Sequence, residues 1–290
     1  MELVRDEGLR FVRASAGPPL YWSWTAPPKP VAAMLVLPGY GDHAWRYRHV
    51  VPVWARAGLA TLIVDFRGHG RSGGLRAFGR SVEEFIDDAH VGVELLRARA
   101  PHGPHFLFGH SHGGLVATHL ALAATHAWSG LVLSAPYFGL RFPIAPVKRI
   151  AGEIAAIVAP TLGLPSGMNG LDVVRDPVRA TEYDDDPLGF PVARAGWFAG
   201  ARRAQGRARR RASRLTLPIY CVVGTDDRVA ELEAARVVVS RASSRDKTFD
   251  VREDYRHVPL ADLGWEAVAE AIASWIVCRA TGRVGRPDPG

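Results

Sequence analysis

Three short stretches of this 290-residue chain carry residue types that could do chemistry together. The first is Gly109-His110-Ser111-His112-Gly113, which follows the apolar run "HFLF" and opens a helix-like stretch. A strand ending at Phe108 and a helix beginning at about His112 leave few residues for the turn. The serine at its apex must then adopt a strained backbone, and Gly109 and Gly113 remove the side chains that would obstruct it. Serine is a weak nucleophile at its own pKa, so it needs a base, and the base needs an orienting acid. "VVGTDDRV" places Asp226 and Asp227 just past a strand, and "REDYRHVPL" places His257 before a closing amphipathic helix. Asp227 is taken as the acid and His257 as the base, while one of the two aspartates has the alternative of an ordinary helix N-cap. An acyl oxygen would need two backbone donors. The amide of His112, just after the serine, supplies one, and Tyr40 in the loop "LPGYGDHAWRY" supplies the other.

These loops need a scaffold, and the apolar runs describe one. "LRFVRAS" and "PLYWSWTA" read as an antiparallel pair around Gly17, Pro18 and Pro19. "AAMLVL", "ATLIVDF", "HFLFGH", "GLVLSAP" and "IYCVVG" are apolar on both faces, as parallel strands covered by helices must be. Helix patterns lie between them. One starts at Ser81, where Glu84 three residues on makes a capping box, with Val82, Phe85, Ile86, Ala89 and Val93 on its apolar face. Strand and helix alternate, which predicts an α/β fold with a mostly parallel central sheet and helices on both faces. The alternation breaks from Tyr137 to Leu215, which reads as a helical cap inserted over the carboxyl edge of the sheet, where open α/β sheets bind ligands. The expected organisation is a core of residues 1–136 and 216–279, a cap of 137–215 and a flexible tail of 280–290.

Composition narrows the class. A hydrophobic content of 48% supports a large buried core. No apolar run approaches the roughly 18 to 20 residues of a membrane span, and the acidic start "MELVRDEGLRF" is unlike a signal peptide. The expectation is a cytoplasmic chain, at most peripheral to a membrane. The two cysteines, Cys221 and Cys278, make no disulfide framework and no metal spacing, and both read as small buried hydrophobes. The net charge of +7 comes largely from arginine and by itself selects no partner.

In order along the chain, "PGYGDHAWRY", "DFRGHGRSGG", "GHSHGG", "YDDDPL", "GTDD" and His257 resemble the motifs of the monoacylglycerol lipase and lysophospholipase group of α/β-hydrolases. The resemblance spans about Leu9 to Val277. It implies a cofactor-free, metal-free serine hydrolase acting on carboxylic esters of monoacyl lipids, with Ser111 as nucleophile, Asp227 as acid, His257 as base and the amides of Tyr40 and His112 as oxyanion hole. A lysophospholipase, a short-chain carboxylesterase and a non-catalytic ligand-binding relative are the alternatives. Three positions depart from the family pattern. Pro38 replaces a histidine, Tyr40 is bulkier than the residue common there, and His112 replaces a methionine.

Rival motifs fail in context. "GHGRSG" matches G-x-G-x-x-G, but no helix start follows it until Ser81, so no pyrophosphate site forms and the loop reads as support for the site. His112, His119 and His126 recur every seven residues rather than at the spacing of helical zinc ligands. The run "ARRAQGRARRRASR" has no interleaved aromatic platform for nucleic acid. It reads as a solvated helix face or as a contact with anionic lipid. Val147, Ile150, Ile154, Ile157 and Val158 share one helix face, which either packs inward or receives the acyl chain of a substrate.

Overall fold

The computed structural model describes residues 2–11, 17–141, 146–190 and 192–282. The chain opens with β1 (Val4–Phe11) and β2 (Pro19–Ala26), an antiparallel pair in the register Val4 to Ala26. The pairing matches the sequence reading, but β1 begins at Val4 rather than Leu9. Its Val4 and Leu9 side chains are exposed, so hydrophobic patterning does not mark the strand.

After β2 the parallel units begin. β3 (Ala32–Leu37), α1 (Val51–Arg56), β4 (Leu59–Val64), α2 (Val82–Arg99), β5 (His105–His110), α3 (His112–Ala123) and β6 (Gly130–Ser134) alternate as their apolar runs predict. Eight of the described strands, including β9 at Ile219–Gly224 and β10 at Lys247–Arg252, form one sheet in the order β1-β2-β4-β3-β5-β6-β9-β10. Every pairing from β4 onward is parallel. β3, β4, β6 and β9 are buried along their whole length, which accounts for their unbroken apolar runs.

Two apolar layers flank the sheet. On one face Phe85, Leu96, Leu115, Val116 and Leu120 join the inward side chains of Leu35, Leu62 and Leu107. On the other, Trp54 and Ile272 meet Met34, Phe106 and Phe108. Ser81 stands at the N-cap of α2, but its hydroxyl makes no capping bond, and the Glu84 carboxylate accepts the Arg80 amide instead. The reciprocal box predicted from the spacing therefore does not form. Cys221 is buried, whereas Cys278 is only half-buried near the end of the last helix.

The insertion between β6 and β9 holds α4 (Pro146–Val158), β7 (Gly163–Pro165), α5 (Gly170–Val173), α6 (Pro177–Asp184), β8 (Val192–Arg194) and α7 (Ala195–Arg211). It is not wholly helical, because β7 and β8 form a small antiparallel pair. Strands of three residues, Gly-Leu-Pro in β7 and Val-Ala-Arg in β8, leave no alternation to read. α7 turns Trp197, Ala201, Ala204 and Ala208 into the main apolar layer, and its Ala204 carbonyl meets His119 Nε2 on α3 at 3.1 Å. The arginine-rich helix thus packs on the core through its alanines while Arg209, Arg210 and Arg211 remain exposed. The chain closes with α8 (Leu232–Arg241) and α9 (Trp265–Ala280). The tail expected over 280–290 lies almost wholly outside the described residues.

Candidate active site

β5 runs two residues further than its apolar pattern suggests, to His110, and α3 starts at His112. Ser111 alone makes the turn, with φ 49° and ψ −116°. A non-glycine residue at positive φ is costly and persists only where its surroundings enforce it. Here they do. A Cβ on Gly109 would collide with the Gly113 carbonyl, and one on Gly113 with the Leu37 carbonyl at the end of β3. The Ser111 amide donates to the Ser134 carbonyl at 3.0 Å, which ties the turn to β6.

The loops after β9 and β10 bring the other two residues to this apex. His257 Nε2 lies 2.8 Å from Ser111 Oγ, and His257 Nδ1 lies 2.9 Å from Asp227 Oδ2. All three residues are buried. Asp227 Oδ1 also accepts the amides of Val229 and Ala230, each at 2.8 Å, so the carboxylate is fixed by its own loop before it meets the imidazole. Asp226 points elsewhere. Its exposed carboxylate meets Arg256 at 3.2 Å and Arg228 at 3.4 Å. Asp227 rather than Asp226 faces the imidazole, and the carboxylate, imidazole and hydroxyl form one hydrogen-bonded chain.

The β3–α1 loop closes over the serine. An ideal Cβ on Gly39 would stand 3.4 Å from Ser111 Cβ, so the backbone entering Tyr40 lies against the nucleophile position. As the first residue of α3, His112 has an amide without an intrahelical acceptor. Asp42 holds the loop from inside, since its carboxylate accepts the amides of His43 at 2.8 Å and Gly39 at 3.4 Å and the Tyr47 hydroxyl at 2.9 Å. Asp65 supports it from the next loop by accepting the Ala44 and Arg71 amides at 2.7 and 2.9 Å. Of the stretch "GHGRSG", read from the sequence as support for the site, the Arg71 amide takes part in this contact. Arg67, directly before that stretch, is held by buried Asp88 on α2, with Arg67 Nη2 donating at 2.7 Å.

Several residues near the site were not singled out from the sequence. Asp186, in "YDDDPL", accepts His43 Nε2 at 2.7 Å and Arg46 Nε at 2.8 Å, and joins the insertion to the β3–α1 loop. These contacts and the Leu188 amide hold its carboxyl down at about 2, against the effect of burial. Trp197 on α7 stacks on the Tyr40 ring with centroids 3.7 Å apart and donates to His112 Nδ1 at 3.4 Å. One side chain of the insertion therefore contacts both residues whose amides are the proposed oxyanion donors. The signal for Asp186 was its place in an ordered motif, whereas nothing in "ARAGWFAG" announces Trp197.

The histidines around the elbow are structural in kind. Burial pushes His112 down to about 3 and His110 down to about 4, so both rings stay neutral near pH 7. His110 donates from Nδ1 to the Ser134 carbonyl at 3.0 Å, with its ring centroid 5.1 Å from that of His257. The structure does not gather the cap stripe into this site. Val147, Ile150, Ile154, Ile157 and Val158 are 55–81% exposed, so the inward-packing reading of that face is overturned.

A family model described as serine aminopeptidase, S33 matches residues 28–264. The chain belongs to this family. It is 31% identical over 260 residues to the monoacylglycerol lipase of Mycolicibacterium smegmatis, across 89% of this chain and 92% of that protein. It is 29% identical to the monoglyceride lipase of Homo sapiens, across 93% and 89% of the two chains. The crystal structure of Paleococcus ferrophilus monoacylglycerol lipase superposes with a TM-score of 0.80 at 26% identity, covering 96% of this chain and all of that one. The family's fold is the α/β-hydrolase fold, and the sheet order and nucleophile elbow described above are its framework.

Proposed function

We propose that this chain hydrolyses the carboxylic ester of monoacylglycerols through an acyl-enzyme on Ser111. The observation that carries the reading is the unbroken chain from Asp227 through His257 to Ser111 Oγ, set at the elbow. His257 Nε2 takes the serine proton as Oγ attacks the ester carbonyl. The oxyanion that forms is received by the amides of Tyr40 and His112. His257 then returns the proton to the departing glycerol oxygen, and water repeats the sequence to release the fatty acid. Asp227 accepts the N–H of His257 Nδ1 and so holds the imidazole in the tautomer that presents a lone pair to Ser111.

The substrate class is supported by the two similar lipases and by the exposed face of α4. Five aliphatic side chains on one helix face offer an apolar surface to an acyl chain or a lipid aggregate, at roughly 0.8 kcal/mol per CH₂ buried. Arg209, Arg210 and Arg211, exposed at the end of α7, offer charge to anionic headgroups, an attraction that falls as salt rises. A second reading, a short-chain carboxylesterase, is favoured by the Tyr40–Trp197 stack, which occupies space beside the oxyanion loop.

Glycerol release from monoacylglycerols of increasing chain length tests the proposal. The rate constant kcat/KM should rise from C4 toward long chains, and replacing Ile154 and Ile157 by serine should flatten that rise while sparing C4. No glycerol release at any length, with short p-nitrophenyl esters still cleaved, would replace the lipase reading by the short-chain one.

A further inference from the structure

Asp262 follows His257 in the loop between β10 and α9, and its side chain is completely buried. A buried carboxylate persists only where donors surround it. Asp262 Oδ2 accepts the Arg256 amide at 2.7 Å. Its Oδ1 accepts the Leu263 amide at 2.8 Å, the Arg175 amide at 2.8 Å and Arg175 Nε at 3.1 Å. The Arg256 amide belongs to the residue directly before the base. One side chain therefore fixes the backbone from which His257 projects.

Two of these donors come from the insertion. Arg175 lies just past α5, and its Nη2 also donates to the Leu263 carbonyl at 3.0 Å. The same stretch meets the base loop again on the other side of His257. The Val258 amide donates to the Val173 carbonyl at 3.0 Å, and Arg256 Nη1 donates to the Leu171 carbonyl and, at 3.1 Å, to the Val174 carbonyl. Val174 packs with Val258 and Ala261 in a small apolar cluster of its own, apart from the two layers on the sheet. Asp227, by contrast, takes its amide donors from its own loop.

We propose that Asp262 is a positioning residue for the base, and that its pair with Arg175 makes the alignment of His257 depend on the seating of the insertion. The inference rests on the catalytic reading of His257 given above. An insertion lifted from the base loop leaves the Asp262 carboxylate short of both Arg175 donors. It regains them only by turning toward water, and that turn draws the Arg256 amide with it. The step from Ser111 Oγ to His257 Nε2 spans 2.8 Å, and a misplacement of about 1 Å can cost roughly 100-fold in rate.

Two substitutions separate positioning from mere stability. Asp262→Asn keeps the shape of the side chain, but with its oxygen at the Oδ1 position its amide nitrogen faces the Arg256 N–H, donor against donor. Arg175→Met keeps much of the apolar stem and removes the guanidinium. On a soluble p-nitrophenyl ester each variant should lose about tenfold or more in kcat with KM within about threefold, and a fluorophosphonate should label Ser111 more slowly by the same factor. The double variant should lose little more than the worse single one, because the two residues act as a unit. Losses that multiply would show two separate effects and overturn the pairing.

Proton NMR reads the alignment without turnover. The Nδ1 proton shared by His257 and Asp227 should give a far-downfield resonance in the parent, which each variant should broaden or move. A variant that melts as a folded protein and keeps the parent's kcat and resonance overturns the proposal. If Asp262→Asn fails to fold, Arg175→Met decides alone. A parent inert toward esters and fluorophosphonate would sink the catalytic reading, whereas a resonance unchanged by Arg175→Met would sink this one.

Discussion

Asp226 and Asp227 are adjacent, chemically identical and both in the loop after β9, yet only one faces His257. Asp227 is buried with three partners fixing it, while Asp226 sits in solvent between two arginines. Asp227→Asn should lower kcat by roughly 10³- to 10⁴-fold, because an amide presents its N–H where the imidazole needs an acceptor. Asp226→Asn should stay within about twofold, since an exposed ion pair contributes little. Steady-state kinetics on a soluble ester separates the two, and comparable losses would mean that the acid is misassigned. At this scale much was legible. That Ser111, Asp227 and His257 meet at one edge of the sheet was expected from the order of their loops, and the proposed oxyanion role of the Tyr40 and His112 amides rests on the same expectation. The side-chain partners of Asp186 and Trp197 were not legible, because they depend on how the insertion folds back and no local pattern encodes that.

Among the elements, the elbow is where sequence and backbone constrain each other most. Gly113 lies in the first turn of α3 with the end of β3 against its Cα, whereas Gly152 in α4 has nothing within 4 Å of where a Cβ would be. Gly113→Ala should therefore abolish activity and lower Tm, while Gly152→Ala should raise stability by about 0.5–1 kcal/mol through the higher helix propensity of alanine. Thermal melts of both variants check this, and a Gly113→Ala protein as stable and active as its parent would show that the turn can relax. The parallel strands were readable because burial on both faces leaves an unbroken apolar run. β1 was displaced in the reading because its Val4 and Leu9 side chains face solvent, and β7 and β8 were missed because they are too short to show a period. The predicted capping box formed neither of its bonds, since the Glu84 side chain reached the Arg80 amide first.

Across the whole molecule, stability should depend on pH through the buried histidines. Burial pushes His69 and His110 down to about 4 and His112 down to about 3, well below the usual histidine value near 6.5. Between about pH 4 and 6.5 the unfolded chain then binds more protons than the folded one, and stability falls as pH falls. Asp65, raised by burial to about 6, works in the opposite sense because the folded state holds its proton longer. Burial also lowers His49 and His119 and raises Asp88, so five histidines stand against two carboxyls and the net slope keeps the sign of the histidines, at roughly 1.4 kcal/mol per pH unit for each net proton. The midpoint of thermal unfolding should drop by several degrees between pH 7.5 and 5.5, and a flat or rising midpoint would contradict the assignment of neutral buried rings.

The account centres on Ser111 as the residue that becomes acylated. Reaction of the purified chain with a fluorophosphonate, followed by digestion and mass spectrometry, tests this most directly. The account predicts one stoichiometric adduct on the peptide carrying Ser111, lost together with ester turnover in Ser111→Ala. An adduct that persists in that variant, or turnover that survives without Ser111, would contradict it.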